Sequence, residues 1–581
     1  MFESRRVSAA IAAAGFSVLA AAQVPPQLPR LPDAGSILEQ QRPKEPLPIR
    51  PSEEPVLPQV TPAPKPALPA TTKVSVTVKE FRFSGNTRFP AEQLQELVRE
   101  FVGKTLDFNG LNDAAGRVQR FYRERGYFLA VAYLPQQEIR DGVVEIAVLE
   151  GRLGSVILQR DAQMKLRESF ARSILNAHLK PGDLITENAL ERPLLLLRDL
   201  PDIELSSELG PSKTQVGAAD LTVKLSEQRR WVSGYFDVDN HGNRFTGEYR
   251  LGVNLNSSNF TGYGDLFSFR GFLSDGDMQF GRLSYVIPVG PYGTRIGASY
   301  TAFAYELGEE FEALEANGEG QVLTIYGLHP LLRTRNANLF LQAGFEGKKL
   351  EDRIDSVGTS EERDITAGKI GVVGDFRDRL FSGGLNSYAV TYTRGDLELE
   401  PEALRAIDAS PGIGPNTAGS FSKWNLDLRR LQRITDQFNL LLGYSGQLAS
   451  KNLTAAERMS LGGPNGVRAF PVGEAPGDTG HLFTAELRYI FPQFQLFGGD
   501  LTASTFYDYG RVDIFEDPPP VIAATEMNTR SISGYGVGLS LGREGNFLVR
   551  VNVATPASGE PPTSDTKERD PRVWVQAVKW F

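Results

Sequence analysis

At 581 residues the chain exceeds one ordinary domain, and about three or four are expected. A net charge of −9 leaves no strongly basic face for nucleic acid, and the absence of cysteine excludes disulfides and thiolate metal sites. Glycine (58), phenylalanine (34) and tyrosine (18) are plentiful, which favours β structure with many turns.

Residues 1–22 read as a secretory signal peptide. Arg5 and Arg6 supply the positive end, residues 7–19 are apolar and alanine-rich, and Ala20-Ala21-Ala22 offers a small-residue cleavage site. No later run of about 18 apolar residues follows, so no transmembrane helix is expected. An exported chain of this kind is either periplasmic or a β-barrel. Within residues 23–73, residues 33–41 predict a short helix with no evident core to join. Residues 43–69 carry a proline every two or three positions, which predicts an extended spacer.

Residues 74–150 predict a compact α/β module. Residues 74–83 alternate as a strand. Pro90 opens a helix with Leu94, Leu97, Val98 and Phe101 on one face, and residues 111–127 repeat that spacing until Gly126 stops it. Strands over 129–134 and 143–149 follow, joined through Asp141-Gly142. The same order of strand, helix, helix, strand, strand recurs over residues 151–228. Two tandem copies of about 75 residues make a divergent internal repeat.

Over residues 229–581 the helical period disappears. Tyr249, Leu251, Val253 and Leu255 alternate with Glu248, Arg250, Gly252 and Asn254, and Trp424, Leu426 and Leu428 with Asn425, Asp427 and Arg429. Such alternation suits a soluble sandwich or a membrane barrel. The connections favour the barrel. Roughly 16 strands are expected, with short turns on one side. Long polar links (307–320, 350–363, 396–420, 451–480, 513–530 and 555–570) and two shorter ones (240–246 and 274–277) fall on the other. The chain ends on an aromatic, Phe581, and Lys579 on the apolar face is expected to snorkel to the rim.

Residues 461–470 (LGGPNGVRAF) lie in the sixth long-side link, a turn-rich segment carrying one long cation, Arg468. In the strand over 501–510, alternation turns Phe506, Asp508 and Gly510 inward, so an inward-folded loop could bring Arg468 to Asp508.

These stretches together resemble a two-partner secretion B transporter of the haemolysin or haemagglutinin secretion type, in the outer-membrane protein 85 superfamily. The repeated module is similar to the polypeptide-transport-associated (POTRA) domain, with Arg125-Gly126-Tyr127 and Leu134-Pro135-Gln136-Gln137 in the first copy. Asp239–Gly247 resembles the barrel entry, Val467-Arg468-Ala469-Phe470 the loop-six motif, and Phe506-Tyr507-Asp508-Tyr509-Gly510 the strand motif that holds its arginine. Ala469 stands where the family usually has glycine. Residues 33–41 occupy the place of the family's plug helix. The resemblance implies two periplasmic POTRA domains (74–150 and 151–228) before a 16-stranded antiparallel outer-membrane β-barrel (229–581). It implies a monomer in outer-membrane lipid that passes a large secreted exoprotein, with Arg125, Gly126, Tyr127, Pro135 and Gln136 as client-contact candidates. An insertase of the same superfamily is the alternative, although those relatives usually carry more POTRA copies.

Other signals are weaker. Residues 237–248 imitate a calcium loop, but His241 spoils the pattern and the flanks alternate as strands. The four histidines are scattered without zinc spacing, and no phosphate-binding loop is present. No metal, cofactor or enzymatic chemistry is expected.

Overall fold

The computed structural model describes residues 31–41, 58–60, 75–213, 215, 217–228, 232–524, 528–565, 567 and 569–581. The signal-peptide expectation and most of the proline-rich spacer lie outside those residues.

In the first module the expected strand over 74–83 is two strands. Ser75–Thr77 pairs with Thr105–Asp107, whereas Glu80–Ser84 runs parallel to Val143–Leu149, with Val131–Tyr133 antiparallel on the far side. The break falls where Val78 accepts from Gly103 N and Lys79 donates to the Gly142 carbonyl, so the backbone turns from one sheet to the other. Helices Ala91–Val98 and Phe108–Glu124 bury Leu94, Val98, Leu111, Val118, Phe121 and Tyr122 against the sheet. Asp107 caps the longer helix by accepting from Gly110 N at 2.8 Å. Glu150, 4% exposed, accepts from Thr87 N, Arg88 N and the Tyr122 hydroxyl.

The second module repeats that order: Arg152–Arg160, Glu168–His178, Glu187–Arg198, Ile203–Pro211 and Ala218–Glu227. Its apolar core is separate from the first. Spacer residues Gln59 and Val60 add a parallel strand to its edge, opposite Glu208 and Leu209.

Sixteen antiparallel strands follow and close into a barrel, the first (Ser233–Asp239) pairing with the last (Arg572–Trp580). Leu251, Phe345 and Val537 on the outer face are each half exposed or more, a pattern suited to lipid rather than water. Lys579 points outward but reaches Asn546 in the neighbouring short turn, so its charge ends at the rim. The link expected over 350–363 is mostly strand, because its two arms stay paired up to Ile354 and Thr359.

The second module docks under the short-turn rim. Arg333 clamps Asp199 with Nε at 2.8 Å and Nη2 at 2.7 Å. Arg335 reaches Glu191 at 2.7 Å and also Glu187. Arg167 lies over the Tyr263 ring, and Leu200 and Leu196 fill space left open at Gly264 and Gly293.

Candidate functional site

The link between the eleventh and twelfth barrel strands, Phe438–Ala449 and Thr479–Leu496, folds into the lumen. Its sequence demands tight turns: Gly463 has φ +106°, a Cβ on Gly462 would meet the Pro471 carbonyl at 2.2 Å, and one on Gly466 the Leu461 carbonyl at 2.0 Å. These contacts hold the tip compact, and Leu461, Val467, Ala469 and Phe470 bury with Phe506, Val512, Ile532 and Ala554.

Arg468 thereby points at the wall. Its Nε donates to Asp508 Oδ2 at 2.8 Å and its Nη2 to Oδ1 at 3.0 Å, a bidentate fork. Its backbone N–H reaches the same carboxylate at 3.2 Å. The remaining Nη1 donates to Glu486 Oε2 at 2.7 Å, and Glu486 also accepts from Arg488. The guanidinium Cζ sits 3.3 Å above the Phe506 ring centroid. Arg468 is 6% exposed and Asp508 fully buried, so the charges are sheltered from water and screening.

Each expected residue of the strand motif has a distinct place. Phe506 is the platform, Asp508 the acceptor, and Gly510 leaves room for Leu461, whose side chain a Cβ there would meet at 2.8 Å. Ala469 is tolerated because its φ is not positive and because strand Thr529–Arg543 faces it with Gly534, where a Cβ would lie 2.4 Å from that of Ala469. The structure adds two residues that sequence reading left out. Glu486 sits on the inward face of its strand, a parity visible in FTAELRYI. Trp574, on the last strand, donates its indole N–H to the Arg468 carbonyl at 2.7 Å. Nothing in the local sequence signals that bond.

The candidates in the first module are not gathered into one site. Arg125 stacks over Phe121 and caps the carbonyl of the same residue, Gly126 has φ +87°, and the Tyr127 hydroxyl accepts from Arg88 at 2.6 Å. Pro135 and the exposed Gln136 lead into Gln137, whose amide bonds both backbone groups of Glu145. The first trio is thus a helix-ending turn and the second a sheet-edge cap.

The helix expected over 33–41 spans Ala34–Gln41 and lies inside the barrel. Asp33 and Ser36 cap it reciprocally. Ala34 N donates to Asp352 at 2.8 Å, and Gln41 accepts from Arg250 at 2.8 Å, both inward residues of the wall. The acids of the calcium-like stretch are taken by arginines: Asp237 by Arg270, Asp239 by Arg250 and Glu248 by Arg569. Among the described residues no cluster with metal-ligand geometry occurs, and no helix is long and apolar enough to cross a membrane.

With this geometry in view, comparisons with known proteins agree on one class. The family model for the haemolysin secretion/activation protein ShlB/FhaC/HecB matches residues 217–541, and that for the ShlB-type POTRA domain matches residues 76–151. The chain belongs to this family of two-partner secretion B transporters, within the outer-membrane protein 85 superfamily, and its barrel resides in the outer membrane. It is 29% identical to the Heme/hemopexin transporter protein HuxB of Haemophilus influenzae, over 88% of this chain and 87% of that protein. It is 25% identical to the Outer membrane transporter CdiB of Escherichia coli, over 83% of this chain and 79% of the relative. The solved structure of CdiB from Escherichia coli superposes with a TM-score of 0.67 at 21% identity, covering 90% of this chain and 93% of that one.

Proposed function

We propose that this chain carries one large partner exoprotein, delivered unfolded to the periplasm, through its barrel to the cell surface. The observation that carries the reading is the lumen: a closed barrel holds both an inward loop fastened by Arg468 and a short helix, two removable obstructions in a polar conduit. The apolar outer face supports contact with outer-membrane lipid, and closure within one chain supports a monomer, since a closed barrel leaves no strand edge to pair. The second module is read as a second POTRA domain from its repeated element order. Both modules would receive the client in the periplasm, the first through the region of Arg125–Tyr127 and Pro135-Gln136. The helix Ala34–Gln41 is read as a plug. The chain is a conduit rather than an enzyme, and client folding outside supplies the direction.

Deleting the gene and comparing culture supernatant with outer-membrane fractions tests this. Loss of one large secreted protein, with other barrels intact, is the expected result. A general loss of outer-membrane barrels would instead identify an insertase. The likeness to the Heme/hemopexin transporter protein makes a haem- or haemopexin-handling exoprotein the first client to assay.

A further inference from the structure

Loop six meets the wall at a second place, distinct from Arg468. Its first part holds a single turn, Ala455–Glu457. Glu457 is fully buried, and its carboxylate receives Lys348 Nζ at 2.5 Å and Lys423 Nζ at 2.8 Å. The lysines come from strands Ala337–Ile354 and Gly419–Arg433 and are themselves 3% and 1% exposed. Lys423 also donates to the Glu457 carbonyl at 2.7 Å, and the Gln447 amide donates to that carbonyl at 3.0 Å. Three strands of the wall therefore converge on one loop residue.

That turn is also the seat of the lumenal helix. A Cβ on Gly35 would lie 2.7 Å from the Ala456 backbone nitrogen and 3.3 Å from the Cβ atoms of Ala455 and Ala456. Ile37 packs in the same apolar cluster as Leu453 and Ala456. A helix of 8 residues has too few turns to persist alone, so its position depends on what it rests against.

We propose that Glu457, gripped by Lys348 and Lys423, is a positioning residue for the lumenal helix: a second fastening, separate from Arg468 and Asp508, that holds the turn on which the helix sits. Removing the carboxylate leaves the buried Lys423 ammonium without the carboxylate it pairs with at 2.8 Å and Lys348 with the more distant Glu346, 3.8 Å away, which drives the turn off the wall. The helix, whose Gly35 lies flush against that turn, loses this support with it and keeps its end bonds to Asp352 and Arg250. The inference rests on the plug reading only for its functional consequence.

The cysteine-free chain permits a direct test with single thiol reporters. Ile37→Cys reports the helix and Val467→Cys the Arg468 end of the loop; both positions are at most 1% exposed. With a water-soluble maleimide on the full-length folded protein, Glu457→Gln is expected to speed labelling of Ile37→Cys by about tenfold and leave Val467→Cys unchanged. Lys423→Gln, the milder variant that leaves one lysine opposite Glu457, should show the same selectivity with about a threefold increase. Equal acceleration at both reporters, acceleration at Val467→Cys alone, or no change at either would overturn the proposal. Planar-bilayer conductance separates the two readings: accelerated Ile37→Cys labelling without added current keeps the seat and refutes the plug.

Discussion

Arg468 is held by shape as much as by charge. Its fork takes both oxygens of Asp508, its third nitrogen takes Glu486, and its flat face lies on Phe506. An ammonium has neither the fork nor the face. Arg468→Ala should leave the barrel inserted, as judged by heat-modifiable electrophoretic mobility, yet cut export at least about tenfold, because losing one side of a buried pair costs about 3–5 kcal/mol. Arg468→Lys should fall close to the alanine variant; export near the unaltered level would mean that only the charge matters. Trp574→Phe keeps an aromatic ring but removes the donor to the Arg468 carbonyl together with part of the buried indole, so a loss of at least about 1 kcal/mol is expected in the resistance of loop six to limited proteolysis. At this scale strand parity made Asp508 legible from sequence. Trp574 was not, because it lies 106 residues further along and reaches a backbone oxygen that any residue would offer.

The elements of the two modules were legible because their apolar spacing is local. The strand expected over 143–149 is found with both ends in place, Val143–Leu149. The strand over 74–83 was read as one because alternation does not reveal which sheet a residue joins. Polar keystones also depend on distant pairing. In the first module, burial and the Glu150 carboxylate hold the Tyr122 phenol well above its usual range. In the second, burial pushes Asp220 up, but hydroxyl and backbone donors at Ser155, Ser212 and Lys213 outweigh it and hold the carboxyl below its usual range. A depressed carboxyl stabilises the fold above its unfolded pKa of about 3.9 and loses that contribution as pH falls through the folded value. Asp220→Asn should therefore lower the melting temperature of the protein's periplasmic part at neutral pH, with the deficit shrinking below about pH 4. A deficit unchanged at acid pH would assign the effect to packing instead.

For the whole molecule, the barrel supplies a polar conduit and the lumenal helix and loop six fill it. Deleting residues 33–41 is expected to raise ion conductance in planar bilayers while export continues, since the fastening of Arg468 to Asp508 does not involve that helix. Unchanged conductance would show that the helix is no plug. The docking of the second module under the barrel, through Arg333 with Asp199 and Arg335 with Glu191, was invisible beforehand. These arginines read as ordinary turn residues until the module is placed beneath them.

What the sequence determined by itself is whatever local periodicity and punctuation encode: a tandem α/β module, alternating strands with long and short links in turn, and an inward Asp508. Each follows from neighbours a few residues apart. Only the tertiary structure decided what depends on closure. It put Glu486 and Trp574 around Arg468, seated Ala34–Gln41 on Ala456, and set Lys348 and Lys423 on Glu457. The physical reason is that a closed barrel makes neighbours of side chains far apart in the chain, and their charges acquire a meaning only once water is excluded between them.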